Sequence, residues 1–146
     1  MRIAVVDGQG GGIGKHITEK LRRKLPEGTE ILALGTNALA TSLMLRAGAN
    51  EGASGESAIV YNAPRVDLIV GPANILIPYS MLGELTPGMA LALVTSPARK
   101  ILIPFSRSGV EFIGLKTEPL PHLIDELVSR VKEIMDENGD KRNDAW

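Results

Sequence analysis

The chain has 146 residues, a size that suits a single domain with a real hydrophobic core. It carries 16 Lys and Arg against 17 Asp and Glu, so its formal net charge of −1 disfavours nucleic acid as a partner, because nucleic-acid-binding proteins usually carry a basic excess. Cysteine is absent and only two histidines are present, which excludes disulfides, thiolate metal centres, a cysteine nucleophile and a histidine-rich metal site.

Residues 68–98 contain a single charge, that of Glu84, and their apolar character raises the question of a membrane span. Prolines interrupt this stretch repeatedly, whereas a spanning helix needs roughly 20 consecutive apolar residues. The start of the chain lacks the long apolar run of a signal peptide. We therefore expect a cytoplasmic protein without membrane contact, in which residues 68–98 lie in the core or between copies of the chain.

The predicted secondary structure alternates between strands and helices along the chain. In order, the predicted elements are strand 2–6, helix 13–25, strand 30–34, helix 38–46, a short helix that stops before Pro64, strand 66–70, helix 87–96, strands 100–103 and 110–113, and a final helix opened by Pro119 and Pro121.

Local signals support several of these elements. In the first helix, apolar residues at four-residue spacing form a single stripe, which is typical of a helix with one buried face. Thr86 followed by Pro87 predicts an N-cap with proline at the first helical position. The polar, glycine-rich residues 50–57 are interpreted as a loop in which Ser54 caps the third helix.

This alternation predicts an α/β fold, a three-layer Rossmann-like domain with a mainly parallel sheet of about five strands and helices on both faces. We expect one domain over residues 1–138 and a polar, frayed tail over 139–146. Right-handed crossovers bring the loops after residues 7, 35 and 71 to one edge of the sheet. Open α/β sheets bind their ligands at that edge.

A glycine-rich loop, residues 8–14, lies between the first strand and the first helix. Glycine lets the backbone adopt positive φ and approach a ligand closely. The helix N-terminus offers free N–H groups and a partial positive charge to an anion. The loop therefore predicts a site for a phosphate-bearing small molecule. Together with the neighbouring loops, the candidate cofactor-binding residues are Asp7, Gly8, Gln9, Gly10, Gly11, Gly12, Ile13, Gly14, Lys15, Thr36, Asn37 and Gly71.

Two features of these candidates bear on a dinucleotide ligand. NAD-binding proteins usually have an acidic residue after the second strand for the ribose hydroxyl, whereas this chain has Thr36 and Asn37 there. Their polar groups can bond a ribose or tolerate a 2′-phosphate. Asp7 places a carboxylate beside the phosphate position, where it repels an anion. Its alternatives are a ribose hydroxyl, a magnesium ion or backbone N–H groups of its own loop.

The spacing of Gly8, Gly12, Ile13 and Gly14 resembles the TGxxxGIG loop of short-chain dehydrogenases, over about residues 2–25. The resemblance implies a cofactor loop at Gly8, Gly12 and Gly14, with NAD(P) or another nucleotide as ligand. The catalytic Tyr-x-x-x-Lys of that family is absent, and no catalytic residue is carried over. Residues 11–15 also resemble P-loop ATPases of the partitioning type, although His16 replaces the Ser or Thr that holds magnesium.

Four segments, IAVVDGQGGGIGK, LGTNALATS, AGANEGASGE and LGELTP…KILIP, resemble a family of short bacterial proteins of unknown function over about residues 1–115. That resemblance implies no activity. It places Asn37, Asn50, Glu51 and Glu56 in one signature with the glycine loop. The last three lie in the 50–57 loop, which either contacts a ligand or metal or forms a solvated turn with a helix cap.

Other polar residues also have two interpretations. His16 is either a proton carrier or an ordinary residue on the surface of a helix. Residues 106–109 either bind an anion or form a plain polar turn. Trp146 either dangles at the end of the chain or docks on a second subunit.

Three functional hypotheses follow. The first is a small protein that binds a nucleotide or another phosphorylated small molecule, with a homo-oligomer expected. The second is an enzyme, an NAD(P)-dependent oxidoreductase or a nucleotide hydrolase that acts as an oligomer, with Asp7, Lys15, His16 and Glu51 as titratable candidates. The third is a regulatory or interaction subunit in which the loop glycines serve only tight packing.

Overall fold

The computed structural model describes residues 1–104 and 109–144, with side chains described as far as residue 139. The strands, β1 to β5, are Arg2–Asp7, Glu30–Gly35, Glu51–Ser54, Leu68–Pro72 and Arg99–Ile103. The helices, α1 to α5, are Gly12–Lys24, Ala38–Ala47, Glu56–Asn62, Pro87–Thr95 and Leu120–Asp144. Two short 3-10 turns, Ala63–Arg65 and Ala73–Leu76, lie before and after β4.

The five strands form one parallel sheet in the order β3-β2-β1-β4-β5. The carboxyl ends of all strands therefore lie at one edge, as expected for the loops after residues 7, 35 and 71. The direction of progression reverses between β1 and β4, which pair side by side. A reversal of this kind leaves a crevice at the carboxyl edge, where such folds bind ligands.

Helices cover both faces of the sheet, which confirms the predicted three-layer Rossmann-like architecture. Side chains of β1 alternate between the two layers, with Ile3 and Val5 on one face and Ala4 and Val6 on the other. Helices α1, α2 and α5 pack on the first face, and α3 and α4 pack on the second. None of the described helices is long and apolar enough to cross a membrane.

The local signals of the first and fourth helices are confirmed. Ile17 and Leu21 of the apolar stripe are fully buried against the sheet. The hydroxyl of Thr86 accepts a hydrogen bond from the backbone N–H of Met89 at 3.1 Å, so Thr86 is the N-cap of α4 and Pro87 follows it.

Two strand assignments from the sequence are wrong. Residues 51–54 form the edge strand β3 rather than a loop, because their backbone pairs with β2 in register from Leu32 to Gly35. Residues 110–113 form no strand, and the side chain of Ile113 is 94% exposed. The sheet still has the predicted number of five strands, because β3 was not predicted and the predicted strand 110–113 is not formed.

Two boundaries also differ. Ser54 does not cap α3, since Gly55 precedes that helix with φ of 93° and the Ser54 hydroxyl pairs with Thr41 at 2.7 Å. Helix α5 continues to Asp144, past the point where a frayed tail was expected, with Arg130 hydrogen-bonded to Glu133 one turn later. The predictions for residues 106–108 and for Trp146 lie outside the described residues.

Candidate functional site

The glycine loop makes a tight left-handed turn between β1 and α1. Gln9 and Gly11 have positive φ, 47° and 72°, and the N–H of Gly11 donates to the carbonyl of Gly8 at 2.9 Å. A Cβ on Gly11 would lie 2.8 Å from the Cα of Ala40, so both backbone conformation and lack of space require glycine here. The loop is thereby held against the start of α2.

The other glycines of the candidate set fall into two groups. A Cβ on Gly14 would lie 2.8 Å from the Cβ of Asp7, and a Cβ on Gly71 would lie 2.3 Å from the carbonyl oxygen of Val6. These glycines permit close packing of the backbone. Gly10 and Gly12 have no atom within 4 Å of such a Cβ, and both are exposed. The open side of the loop is therefore at Gly10 and Gly12.

Several backbone donors on that open side are unused. Among the described residues, no acceptor is bonded to the backbone N–H groups of Gly10, Gly12 and Ile13, and no side chain caps α1. The next donor, the N–H of Gly14, is bonded to Asp7. Free N–H groups in the first turn of a helix are favourable partners for an anion.

Asp7 is used by its own loop, which was one of the alternatives left open by the sequence. Its buried carboxylate accepts hydrogen bonds from the backbone N–H groups of Gly8 at 2.8 Å and Gly14 at 2.7 Å. Burial raises the pKa of Asp7 above its ordinary value of 3.8, the two N–H bonds oppose this, and the charge of Glu84 adds to the rise. The carboxylate thus shapes the loop from behind its open face.

A second carboxylate, that of Glu84, contacts the glycine loop from a distant part of the chain. It accepts hydrogen bonds from the backbone N–H of Gln9 at 2.8 Å, from the hydroxyl of Thr36 and from the amide of Asn37. Partial burial acts to raise the pKa of Glu84, but these three hydrogen bonds outweigh it and hold that pKa below its ordinary value of 4.5. The ionised carboxylate of Glu84 is therefore bound by Gln9, Thr36 and Asn37, which the sequence analysis proposed as ligand-binding residues.

Asn37 connects the glycine loop to α2. Its side-chain oxygen caps α2 by accepting from the N–H of Ala40 at 2.8 Å, and its amide donates to the carbonyl of Gln9 at 2.9 Å. The structure thus brings Thr36 and Asn37 to the glycine loop, as the sequence predicted.

Glu84 belongs to a segment that we call the strap, residues 77–85. Ser80 and Leu85 are buried and anchor it, while Leu82 at its tip is 99% exposed. Within the strap, φ is near 60° at Tyr79, Met81 and Leu82, although none of these residues is glycine. Sequence reasoning missed the strap, and its one signal was the isolated charge of Glu84 in an otherwise uncharged stretch.

A buried amide lies at the same edge of the sheet. Asn74 follows the carboxyl end of β4 and is only 6% exposed. Within the described part of the chain, its side-chain oxygen has no hydrogen-bond partner. A buried polar atom without a partner is costly, so this amide has an unused capacity to bind a polar group.

Other candidates from the sequence are used elsewhere. Asn50 accepts from Arg22 and from the N–H of Ile31, which ties β3 to the sheet. Glu51 begins β3, away from the carboxyl edge, and pairs with Arg2 at 3.1 Å. His16 is exposed and lies 3.6 Å from Glu19.

Glu56 also has a structural partner, since it accepts a hydrogen bond from the hydroxyl of Thr86. Among the residues with described side chains, no group of three or more His, Asp or Glu is placed to hold a metal ion.

Open grooves formed by the described residues lie away from the glycine loop. One of about 670 Å³ runs between β5 and α5 and includes Ile101, His122 and Arg130. An apolar one of about 470 Å³ includes Leu76, Leu102 and Phe112. Over the glycine loop the strap occupies the space, since the sulfur of Met81 would lie 2.5 Å from a Cβ on Gly8.

Comparison with protein families places almost the whole chain in one of them. Residues 2–136 match DUF3842, a domain of unknown function, and the chain belongs to this family. A comparison with curated proteins finds no match.

A solved structure shares the fold. The chain is similar to a dodecameric FMN-dependent UbiX-like decarboxylase from Escherichia coli O157:H7, with a TM-score of 0.51 and 15% sequence identity. The similarity covers 93% of this chain and 95% of the other. It agrees with the parallel, Rossmann-like sheet described above.

Proposed function

We propose that this member of the DUF3842 family binds a small phosphate-bearing ligand, a nucleotide or another phosphorylated small molecule, at the glycine loop. The observation that carries the proposal is the set of three unused backbone N–H groups, those of Gly10, Gly12 and Ile13, on the open face of the loop. They lie in the first turn of α1 and just before it, where the helix dipole favours an anion.

The charges around the loop are compatible with this ligand. The carboxylate of Asp7 is buried and bonded to Gly8 and Gly14, so it is not presented on the open side. Lys15 adds a positive charge in the first turn of α1. The donors of Gln9, Thr36 and Asn37 already hold an anionic group, the carboxylate of Glu84.

The rest of such a ligand has a natural position in the crevice between the carboxyl ends of β1 and β4. The amide of Asn74 lies at the end of β4, and its buried oxygen has no hydrogen-bond partner among the described residues. NAD(P) is one nucleotide in this class. FMN is another, and the similar decarboxylase, which is FMN-dependent, makes it a useful probe.

Isothermal titration calorimetry with AMP, ATP, NAD+, NADP+, FMN and an acyl-CoA tests the proposal. We expect at least one phosphate-bearing compound to bind, and Gly12→Asp to weaken it more than tenfold by placing a negative charge on the open face. Gly12→Asn is the matched control of similar shape without the charge. Both side chains have room at this position, which is the first residue of α1. Heat from none of the six compounds would contradict the proposal.

We also propose that the protein forms a homo-oligomer through α3 and α4. Val60, Tyr61, Leu91 and Val94 on these neighbouring helices are 45–63% exposed, and α4 carries no charged residue. Contiguous exposed apolar surface commonly marks an interaction site. Light scattering coupled to gel filtration tests this. Leu91→Lys should produce the monomer, and a wild-type chain that is already monomeric contradicts the proposal.

A further inference from the structure

We infer that the strap is an internal competitor of the ligand, with the Glu84 carboxylate occupying part of the position that a ligand phosphate takes. The inference rests on the proposed function and names how its site is regulated. A phosphate must displace this carboxylate before it can use the full set of donors around the loop.

The donors that hold Glu84 are those that an anionic ligand would use. They are one backbone N–H of the glycine loop, that of Gln9, and two side chains at the start of α2, those of Thr36 and Asn37. The three unused N–H groups are on the same loop, one to four residues further along the chain. The site is thus divided between an occupied half and an open half.

The strap is built so that its tip can leave while its ends stay. Ser80 and Leu85 are buried, and the Ser80 hydroxyl donates to the carbonyl of Asn74. Between them, Leu82 contacts almost nothing, being 99% exposed, and both Met81 and Leu82 are in the left-handed region. Release of the tip therefore loses little packing at Leu82 and the partly buried contacts of Met81, and it allows these two residues to return to a more favourable backbone conformation.

Displacement exchanges one anion for another on the same donors. The N–H of Gln9, the hydroxyl of Thr36 and the amide of Asn37 keep a charged partner, so no buried donor is left unsatisfied. The carboxylate of Glu84 moves to solvent. Binding and strap release are then coupled, and the observed affinity is lower than that of a site already free of Glu84.

The test compares AMP with adenosine, which lacks the phosphate, by calorimetry on the wild-type chain and on Glu84→Gln. Glutamine has the same shape but loses the charge, so we expect AMP to bind about tenfold more tightly to the variant, within the usual range of coupling between sites. Adenosine binding should be unchanged. Glu84→Ala, which removes the acceptor altogether, should increase AMP affinity at least as much. Glu30→Gln at the amino end of β2 is the control for the same change in net charge.

Hydrogen exchange of the wild-type chain gives a second readout. The backbone N–H groups of Tyr79, Gly83 and Glu84 are hydrogen-bonded within the strap. AMP should slow exchange in residues 8–14 and accelerate it in the strap, residues 77–85. Slower exchange in both segments would overturn the inference, because the strap would then be closing over the ligand.

The outcomes separate the two proposals. Equal AMP affinity for the wild type and Glu84→Gln overturns the competitor role and leaves the proposed function standing. If AMP binds neither the wild type nor any variant, the inference is overturned. If none of the other phosphate-bearing compounds binds either, the proposed function is overturned as well.

Discussion

The glycine loop and the strap meet at one site, but they differ in which residues adopt the left-handed backbone conformation. Both contain left-handed residues. In the glycine loop, Gly11 has φ of 72° and touches α2 so closely that a side chain has no room. In the strap, Tyr79, Met81 and Leu82 adopt similar φ values with full side chains, at a cost of roughly 1–2 kcal/mol for each residue.

This difference in backbone conformation distinguishes the rigid glycine loop from the strap, whose tip can be released. The glycine loop is fixed by contacts on three sides, from Asp7, α2 and the strap. The strap tip is held through the hydrogen bonds of Glu84 and the partly buried side chain of Met81, while Leu82 is exposed. Strained backbone persists where surrounding contacts hold it, and it clusters at active sites, ligand clamps and switch regions. We therefore expect substitutions in the loop to change stability more than substitutions in the strap.

The largest effect is expected from Gly14→Ala. Its Cβ would lie 2.7 Å from the sulfur of Met44 and 2.8 Å from the Cβ of Asp7, so α1 and β1 must separate. We expect a loss of about 1–3 kcal/mol in the free energy of unfolding, measured by urea denaturation. Gly12→Ala is the control two residues earlier in the same helix, where the methyl meets nothing and the change ranges from neutral to a gain of about 1 kcal/mol. Equal losses for both variants would show that the loop is not packed as described.

The two carboxylates of the site should give opposite pH dependences. Burial raises the pKa of Asp7, so its contribution to stability is present below 3.8 and is lost as the pH rises through the folded-state pKa. The pKa of Glu84 is lowered, so its contribution is present above 4.5 and is lost as the pH falls through the folded-state pKa.

Urea unfolding between about pH 3 and 7 measures this difference. The stability of the wild type relative to Asp7→Asn should fall as the pH rises, and its stability relative to Glu84→Gln should fall as the pH drops. Because the two charges interact, the double variant is the proper reference for each single one. Parallel pH profiles for the two variants would refute the assignment of a buried and a ligated carboxylate.

The smallest effect is expected at the strap tip. Leu82→Asn should stabilise the chain by about 0.5–1 kcal/mol, because asparagine tolerates the left-handed conformation and the exposed leucine has no packing to lose. Ile113→Asn is the control, since Ile113 is similarly exposed, at 94%, and does not have positive φ. Thermal unfolding of the two variants suffices, and a gain at both positions or at neither would argue against backbone strain in the strap.

Much of the fold was predictable because its signals are local. The β-branched residues of β1, the four-residue stripe of α1 and the cap at Thr86 each depend on residues a few positions apart. The glycine loop was predictable for the same reason, and Thr36 and Asn37 followed from the rule that parallel strands end at one edge.

The rest depends on pairing between distant residues. Strand β3 has the polar sequence EGAS and exists because it pairs with β2 and because Asn50 bonds Ile31. Residues 110–113 have a strand-like sequence but no partner in the described sheet. Glu84 lies 75 residues from Gln9, and its strap adopts left-handed turns at residues that give no such signal. These contacts have no counterpart in local spacing.

The measurement that tests the central claim most directly is the backbone amide spectrum of the ¹⁵N-labelled chain during titration with AMP and inorganic pyrophosphate. The account predicts that the largest shifts occur at Gly10, Gly12 and Ile13, whose N–H groups are unused, followed by Gln9 as Glu84 is displaced. Shifts confined to the groove between β5 and α5, or no shifts at saturating ligand, would contradict the assignment of the glycine loop as the binding site.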